Sequence, residues 1–583
     1  MNLAQIMKSK NKIKEEDINI PVVKERNMNE DGVKGHTEEG ETLEFKKRPL
    51  RKIEKPAKYK YYVTYLIMKD QKIIAEPNSV ENALSGPNSN NWKQAMKTEL
   101  NAMIKNEVYE LVKLPAEKKP LKTKWVFKEK QDKEGIKRYK ARLVIKGCNQ
   151  KEGIDYQETF SPVVKYSSLR YLFSLAAVKK LRIDHMDVMT AYLNGEVEED
   201  IYVVPPEGFE TNEENKVWKL KKAVYGLKQS GRCWNIKLNE VLINIGLTQC
   251  KSDPCIYTLN NNSAQILIVA IYVDDLLIFS NDKNLRVNLK KNLMSNFDMK
   301  DLGVAKNCLG MHITVDSNSN SIYIDQKEYI IKILKKFNMI DCKPVNTPME
   351  KGLDFDNFEC KEDQCDVPYQ EAVGSLLYLS QISRPDISYA TSLLSRFNKN
   401  HNLSHWNAVK RVFRYLKGTI DLKLEYKNNS FCDIYCDSDW GNKLNDRYSV
   451  TGVCVMVNGG IVHWHSKRQK TVALSTTEAE YMALSSAVQE ALWLKQLIYE
   501  ISMEKVVIKV HCDNKGAIDI AKNNITSQRS KHIDIRHHFL RDHVLNKKVV
   551  LEYTCTEKMP ADVFTKPLTK DKHRDYVKFL GLK

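Results

Sequence analysis

Two acids stand side by side in one of the most apolar stretches of the chain. ILIVAIYVDDLLIF, residues 266–279, sets Asp274 and Asp275 between eight apolar residues and four. The pattern predicts a buried hairpin with charge at its turn. Two carboxylates in such surroundings are costly unless a cation compensates them, and a divalent metal does so best. An ordinary Asp-Asp turn would explain this segment equally well if it stood alone, but it does not. IDHMDVMTAYLNGE (183–196) places Asp187 at the end of a strand-like run, and GIKRYKARLVIKG (135–147) reads as another hairpin with Lys140 and Arg142 on one face. Between residues 113 and 151 there are fourteen Lys and Arg against four acids, a surplus suited to a triphosphate and a nucleic-acid backbone.

A second set of acids lies in the last third. FCDIYCDSDW (431–440) is a strand ending in Asp437 and Asp439, and two further strands join at Asn458-Gly459-Gly460. Ser475-Thr476-Thr477 then opens a helix whose apolar face carries Tyr481, Leu484, Val488 and Ala491, with Glu480 in its first turn. VVIKVHCDN ends a strand in Asp513, and MPADVFTKPL sets Asp562 after a helix-starting Pro560. Asp437, Glu480, Asp513 and Asp562, at four element ends, could converge on one metal cluster. Asp439 and Glu478 are expected to be solvated neighbours. His463 and His465 on a strand, and His532, His537 and His538 further on, are expected to pack or to touch phosphate rather than bind zinc, since no Cys pair accompanies them.

These residues need a large scaffold, and 583 residues allow three or four domains. With 42% apolar and 28% charged residues the composition is globular. A net charge of +18 favours a polyanionic partner. Thirteen Cys without a C-x-x-C pair argue against a disulfide framework or a zinc ribbon, and no apolar run predicts a membrane span or a signal peptide, so an intracellular protein is expected. Residues 1–75 read as a basic tail or linker, with eight basic residues and one acid in 46–60. Residues 91–345 alternate helix and strand, 346–430 are mainly helical, 431–569 are mixed α/β, and 570–583 are a C-terminal tail.

Taken in order, KTKWVFK (122–128), YKARLVIKG (139–147), MDVMTAYLNG (186–195), AVYGLKQSGR (223–232), YVDDLLIF (272–279) and YQEAVGSLLYLSQISRPDISYA (369–390) resemble the polymerase of copia-type LTR retrotransposons. DSDW, STTEAEYMAL, HCDNKGA and PADVFTKPL resemble the ribonuclease H domain of the same type. The resemblance runs from about Trp92 to Leu568. It implies an α/β and α+β multidomain protein, a right-hand polymerase of fingers, palm and thumb followed by a ribonuclease H-like mixed sheet. Asp187, Asp274 and Asp275 would form the palm triad. Lys140 and Arg142 would meet the incoming triphosphate, Gly226, Leu227, Lys228 and Gln229 the template and nucleotide, and Tyr192 the sugar. Asp437, Glu480, Asp513 and Asp562 would hold metal in the nuclease. The implied cofactor is Mg²⁺, two ions per active site, with Mn²⁺ as a substitute. The implied partners are an RNA template, a DNA or RNA primer, an RNA–DNA hybrid and dNTPs, with no membrane. A cytoplasmic virus-like particle with access to the nucleus would be the setting. Gly231 stands where the family usually has Pro, which is expected to loosen that loop. No protease or integrase motif is present, so the resemblance is to the C-terminal portion of a polyprotein. A non-catalytic remnant or adopted host nucleic-acid-binding protein is the competing reading.

Overall fold

The computed structural model describes residues 76–131, 137–209, 216–259, 264–352, 366–429, 432–441, 447–522 and 534–583. The basic tail expected in residues 1–75, His532 and the His537 side chain lie outside them.

Helix Ser89–Lys105 lays Trp92, Met96, Leu100 and Met103 against the hairpin Thr123–Gln131/Lys137–Ile145. Along the second strand Ala141, Leu143 and Ile145 point into this core, and Lys140 and Arg142 point out. The alternation expected of a strand buried on one face is therefore present.

The central sheet runs Met299–Val304, Arg182–Val188, Asp275–Ser280, Leu267–Tyr272, Ile256–Thr258, Thr248–Gln249 in spatial order, with every pairing antiparallel. Its middle strands are buried on both faces, which explains their continuous apolar runs. Helix Tyr166–Lys179 covers the sheet, with the Phe173 and Phe279 rings 5.8 Å apart.

A third core gathers helices Lys327–Lys336, Tyr369–Ile382, Ser388–Ser395 and Leu403–Gly418. The last sheet has the order Gly460–Arg468, Val450–Val457, Cys432–Asp439, Ile508–Cys512, Val549–Tyr553. Its first three strands form an antiparallel meander and its last two run parallel to Cys432–Asp439. Helix Thr476–Ser502 makes the crossover between the two parts.

Arg170 ties these units together. Its Nε donates to the Val462 carbonyl at 2.7 Å and its Nη1 to those of Gln381 and Ile382 at 2.8 and 2.9 Å, while the guanidinium lies 3.9 Å from the Trp464 ring centre. A charge taken out of water is tolerable here because three carbonyls and an aromatic face meet it. Among the described residues no helix is long and apolar enough to cross a membrane.

Residues 570–583, expected as a tail, are folded. Helix Lys570–Phe579 buries Tyr576 and Val577, and Leu580 and Leu582 are fully covered. Gly581 at φ +84° turns the chain so that Lys583 and Lys423 exchange backbone hydrogen bonds of 2.8 and 2.9 Å. Four spaced apolar residues close the core, although the run KDKHRD makes the segment look solvated.

Candidate active sites

The first site is built by register. Strands Arg182–Val188 and Asp275–Ser280 pair so that Asp187 faces Asp275 directly, and Asp274 sits in the tight turn before Asp275. Directly opposed residues share a face, so the two carboxylates converge. Val273 in that turn adopts φ +56°, a left-handed conformation costly for a β-branched residue, at about 1–3 kcal/mol. Trp234 Nε1 donates to the Val273 carbonyl at 2.7 Å, and the Val188 amide to that of Asp274 at 2.9 Å, which hold the turn in place. Burial pushes the Asp274 carboxyl above its ordinary range, and the Asp275 and Asp187 charges add to this. His185, two residues before Asp187 and on the same strand face, has its Nε2 2.7 Å from Asp275 Oδ1. His185 is not among the residues expected here, although its period-two spacing from Asp187 marks the same strand face.

Arg142 reaches this centre through aromatic rings. Its guanidinium lies 5.0 Å from the Tyr225 ring centre, and Tyr225 lies 4.8 Å from Tyr192. Half-buried Tyr192 follows Thr190, itself left-handed at φ +53°, in the short helix Ala191–Asn194. Its hydroxyl is pushed up by burial, and the Asp274 charge adds to this. Burial pulls Lys140 down, with Arg142 and Lys130 adding, while Asp187 is close enough to oppose this.

Gly226, at φ +97°, leaves no room for a side chain, because a Cβ there would stand 2.1 Å from the Ile145 carbonyl. The close approach seats the loop on the strand that carries Arg142. Leu227 is buried and Lys228 points outward, its Nζ 3.0 Å from the Tyr156 hydroxyl. Gln229, expected at the nucleotide, lies inside the protein. Its amide nitrogen donates to Asp155 O and Glu199 Oε2 at 2.9 and 3.1 Å, and its oxygen accepts from Gln150 at 3.0 Å. With its hydrogen bonds spent internally, it shapes the loop rather than reaching a ligand. Gly231 does not loosen that loop either: it lies in the first turn of helix Ser230–Asn244, where Ser230 Oγ donates to the Val224 carbonyl at 2.6 Å.

The second site gathers at the strand ends of the last sheet. Asp437 is buried on strand Cys432–Asp439, Glu480 lies in the first turns of helix Thr476–Ser502, and Asp513 follows strand Ile508–Cys512. Glu480 Oε1 accepts from the Ser438 amide at 2.8 Å, and Asp513 Oδ2 from Thr556 Oγ1 at 2.7 Å. Burial pushes Asp437 up to about 7, with Lys566 opposing and Asp562 adding. Glu480 is driven well above its ordinary range by burial and then by Asp437.

Asp562, in the short helix Pro560–Phe564, is completely covered and held by two ammonium groups, Lys572 at 2.6 Å and Lys566 at 2.7 Å. Lys566 also reaches to 3.6 Å from Asp437, whose other close partner is the Thr565 hydroxyl. Lys566 is not among the residues expected here, although its place four residues after Asp562 is a usable signal. Glu478, expected to be solvated, is buried and caps the helix start, accepting from the Leu474 amide at 2.7 Å while Ser475 Oγ accepts from its own amide. Asp439 is half-buried and His538 exposed.

Both acid groups offer hard oxygens, and the negative charge is held at a cost on Asp274 in the first and on Asp437 and Glu480 in the second, which a magnesium-like cation relieves. The residues therefore fit such an ion.

The family of reverse transcriptases (RNA-dependent DNA polymerases) matches residues 106–351. The chain is 41% identical over 547 residues to the retrovirus-related Pol polyprotein from transposon TNT 1-94 of Nicotiana tabacum, covering 92% of this chain and 41% of that protein. It is 35% identical over 310 residues to a transposon Ty5-1 protein of Saccharomyces cerevisiae, covering 52% of this chain and 100% of the relative. A foamy viral protease–reverse transcriptase, solved with double-stranded DNA, shares 12% identity at a TM-score of 0.44 over 80% of this chain and 70% of that one. The chain spans about two fifths of the length of the longer relative named here. A reverse transcriptase domain is followed by a helical core and a five-stranded mixed sheet, and the chain belongs to the copia-type retrotransposon Pol polyproteins.

Proposed function

We propose that the chain copies RNA into DNA at the Asp187, Asp274 and Asp275 site and cleaves the RNA strand of the resulting hybrid at the Asp437, Glu480, Asp513 and Asp562 site. The observation that carries this reading is the pair of separate carboxylate clusters, one at a strained hairpin turn facing Asp187 and the other at four element ends of a different sheet. Divalent ions, when bound, supply the positive charge that favours deprotonation of the attacking hydroxyl or water and offsets charge on the leaving oxygen. The rest falls to the chain. The palm acids would hold the reacting ends in place, Lys140 and Arg142 would meet the triphosphate, and the surplus of basic residues in 113–151 would hold the template backbone. An RNA template, a DNA or RNA primer and dNTPs are the substrates of this reading. Primer extension on an end-labelled RNA template with Mg²⁺ tests it by reading DNA synthesis and RNA cleavage together. Neither product at any Mg²⁺ or Mn²⁺ concentration would favour the non-catalytic remnant.

Two smaller effects concern the nucleotide. The Lys140→Ala, Arg142→Ala double variant is expected to raise KM for dNTP more than it lowers kcat, because both groups lie on the same outward face of one strand. An unchanged KM would remove them from the triphosphate site. Tyr192→Val should keep measurable dNTP incorporation while raising the rNTP to dNTP ratio of kcat/KM by about tenfold, or roughly 1.4 kcal/mol. A ring under the sugar would exclude a 2′-hydroxyl by collision, and shrinking it leaves the acids themselves unchanged. Competing single-nucleotide incorporation measures the ratio, and no change in a variant that still polymerises would return Tyr192 to a packing role.

A further inference from the structure

Away from both acid clusters, strand Gly460–Arg468 carries His463 and His465 on one face, and helix Thr476–Ser502 lies over them with Ser486 and Glu490 one turn apart. His465 Nδ1 stands 3.4 Å from His463 Nε2, which stands 3.5 Å from Glu490 Oε1. The three ligand atoms all lie within 4.8 Å of one another. We propose that His463, His465 and Glu490 form a zinc site, with a fourth position open to water.

The spacing fits the metal. Zinc–nitrogen bonds of about 2.0–2.1 Å in a tetrahedron put neighbouring ligand atoms roughly 3.3–3.4 Å apart, close to the two separations seen. Ser486 Oγ lies 3.3 Å from His465 Nε2, so it can take that N–H and leave the Nδ1 lone pair aimed at the other ligands. Two imidazoles and one carboxylate suit zinc rather than magnesium, which prefers an all-oxygen shell. His465 is buried, while the side chains of His463 and Glu490 keep 21% and 26% of their surface exposed, which gives an ion a way in. Glu490 lies ten residues beyond Glu480 on one helix, about 15 Å along its axis, so this site does not share ligands with the nuclease acids. Sequence alone pointed away from it, because the third ligand comes from a separate element and no cysteine marks the place. A metal here would clamp the helix to the sheet and stabilise the folded state by mass action. The site is independent of the proposed catalysis.

The test uses the full chain, stripped with chelator, exposed to Zn²⁺ alone and passed through gel filtration. Retained zinc is read by elemental analysis, and Co²⁺ in its place by visible absorption. Zinc could also lodge on the catalytic acids or on His185, Asp275 and Cys308, whose ligand atoms likewise lie within 4.8 Å of one another, so every measurement is made in a background carrying Asp275→Asn and Asp513→Asn. That protein is expected to retain one equivalent of zinc and to give the intense bands of tetrahedral Co²⁺. His463→Asn and Glu490→Gln should each lose both, and Ser486→Ala should bind about tenfold more weakly. Circular dichroism checks folding, and the isosteric Glu490→Gln decides the matter if His463→Asn unfolds. No retained zinc in the parent would overturn the proposal and leave His463 as a donor shared between His465 and Glu490. Equal zinc in parent and Glu490→Gln would overturn it as well.

Discussion

Asp275→Asn is expected to lower DNA synthesis by about a thousandfold or more, roughly 4 kcal/mol at the barrier, while cleavage of RNA in a preformed hybrid persists. Asp513→Asn should do the reverse. Each substitution keeps the shape of the side chain and removes its charge. Asp275 contributes half of a carboxylate pair set by strand register with Asp187, so the local negative charge falls while the sheet is untouched. The amide that replaces the Asp275 carboxylate can still meet His185, which limits the change to the charge itself. Asp513 lies on the other sheet, and its replacement keeps the Thr556 contact through the remaining oxygen. Primer extension and hybrid cleavage are measured on the same preparations. Loss of both activities in either variant would sink the idea of two independent centres, provided circular dichroism shows the fold retained. That control matters because the two halves share one continuous core through Arg170 and Trp464, so a global defect at one sheet would reach the other.

The acids were legible in the sequence because their surroundings were extreme. A doublet of Asp between two apolar runs gains meaning from Asp187 at the end of a second strand, and Asp437 and Asp513 each stand near the end of a strand where the apolar pattern stops. Lys140 and Arg142 were placed on one outward face by period-two reading alone, and the strand keeps them there. What stayed hidden depends on contacts between distant elements. Nothing local distinguishes Gln229 turned inward from Gln229 facing a nucleotide; Gln150, Asp155 and Glu199 decide it from up to 79 residues away. Glu478 looked solvated because charge usually is, yet the Leu474 amide at a helix start needs an acceptor and the side chain supplies it. The last fourteen residues read as a tail because their charges outnumber their apolar residues, whereas burial follows the spacing of Tyr576, Val577, Leu580 and Leu582. Trp234 fastening Val273 is of the same kind: the strain at φ +56° shows only in the backbone, and its restraint only in the fold.

Lys566→Met is expected to destabilise the metal-free protein by about 2 kcal/mol at pH 8, a partial share of the 3–5 kcal/mol typical of breaking a fully buried ion pair, since Lys566 keeps 30% of its side chain exposed. Burial alone would pull the Lys566 ammonium down, but Asp437 and Asp562 outweigh it and hold the group well above its ordinary range. A lysine raised in this way contributes stability that is fully present below its unfolded pKa and lost only as pH rises through the folded one, so Lys566 is charged throughout pH 5–8. Asp437 behaves oppositely. Its folded pKa of about 7 exceeds the unfolded one, so it binds a proton more tightly when folded, and its contribution to stability falls as pH climbs from about 4 to 7. Without Lys566 this fall should continue to higher pH, because the opposing charge is gone. The loss caused by the substitution should therefore be small at pH 5 and grow toward pH 8. Lys572 still pairs with Asp562, which leaves Asp437 as the group exposed by the change. Mg²⁺ should then stabilise Lys566→Met more than the parent, since a divalent ion takes over the compensation that the ammonium supplied and no longer competes with it. Urea midpoints at pH 5 and pH 8, each with and without Mg²⁺, separate these effects. An equal loss at both pH values, with an equal Mg²⁺ response in parent and variant, would mean that Lys566 does not screen Asp437, and that the carboxylates of the second site are balanced by some other group.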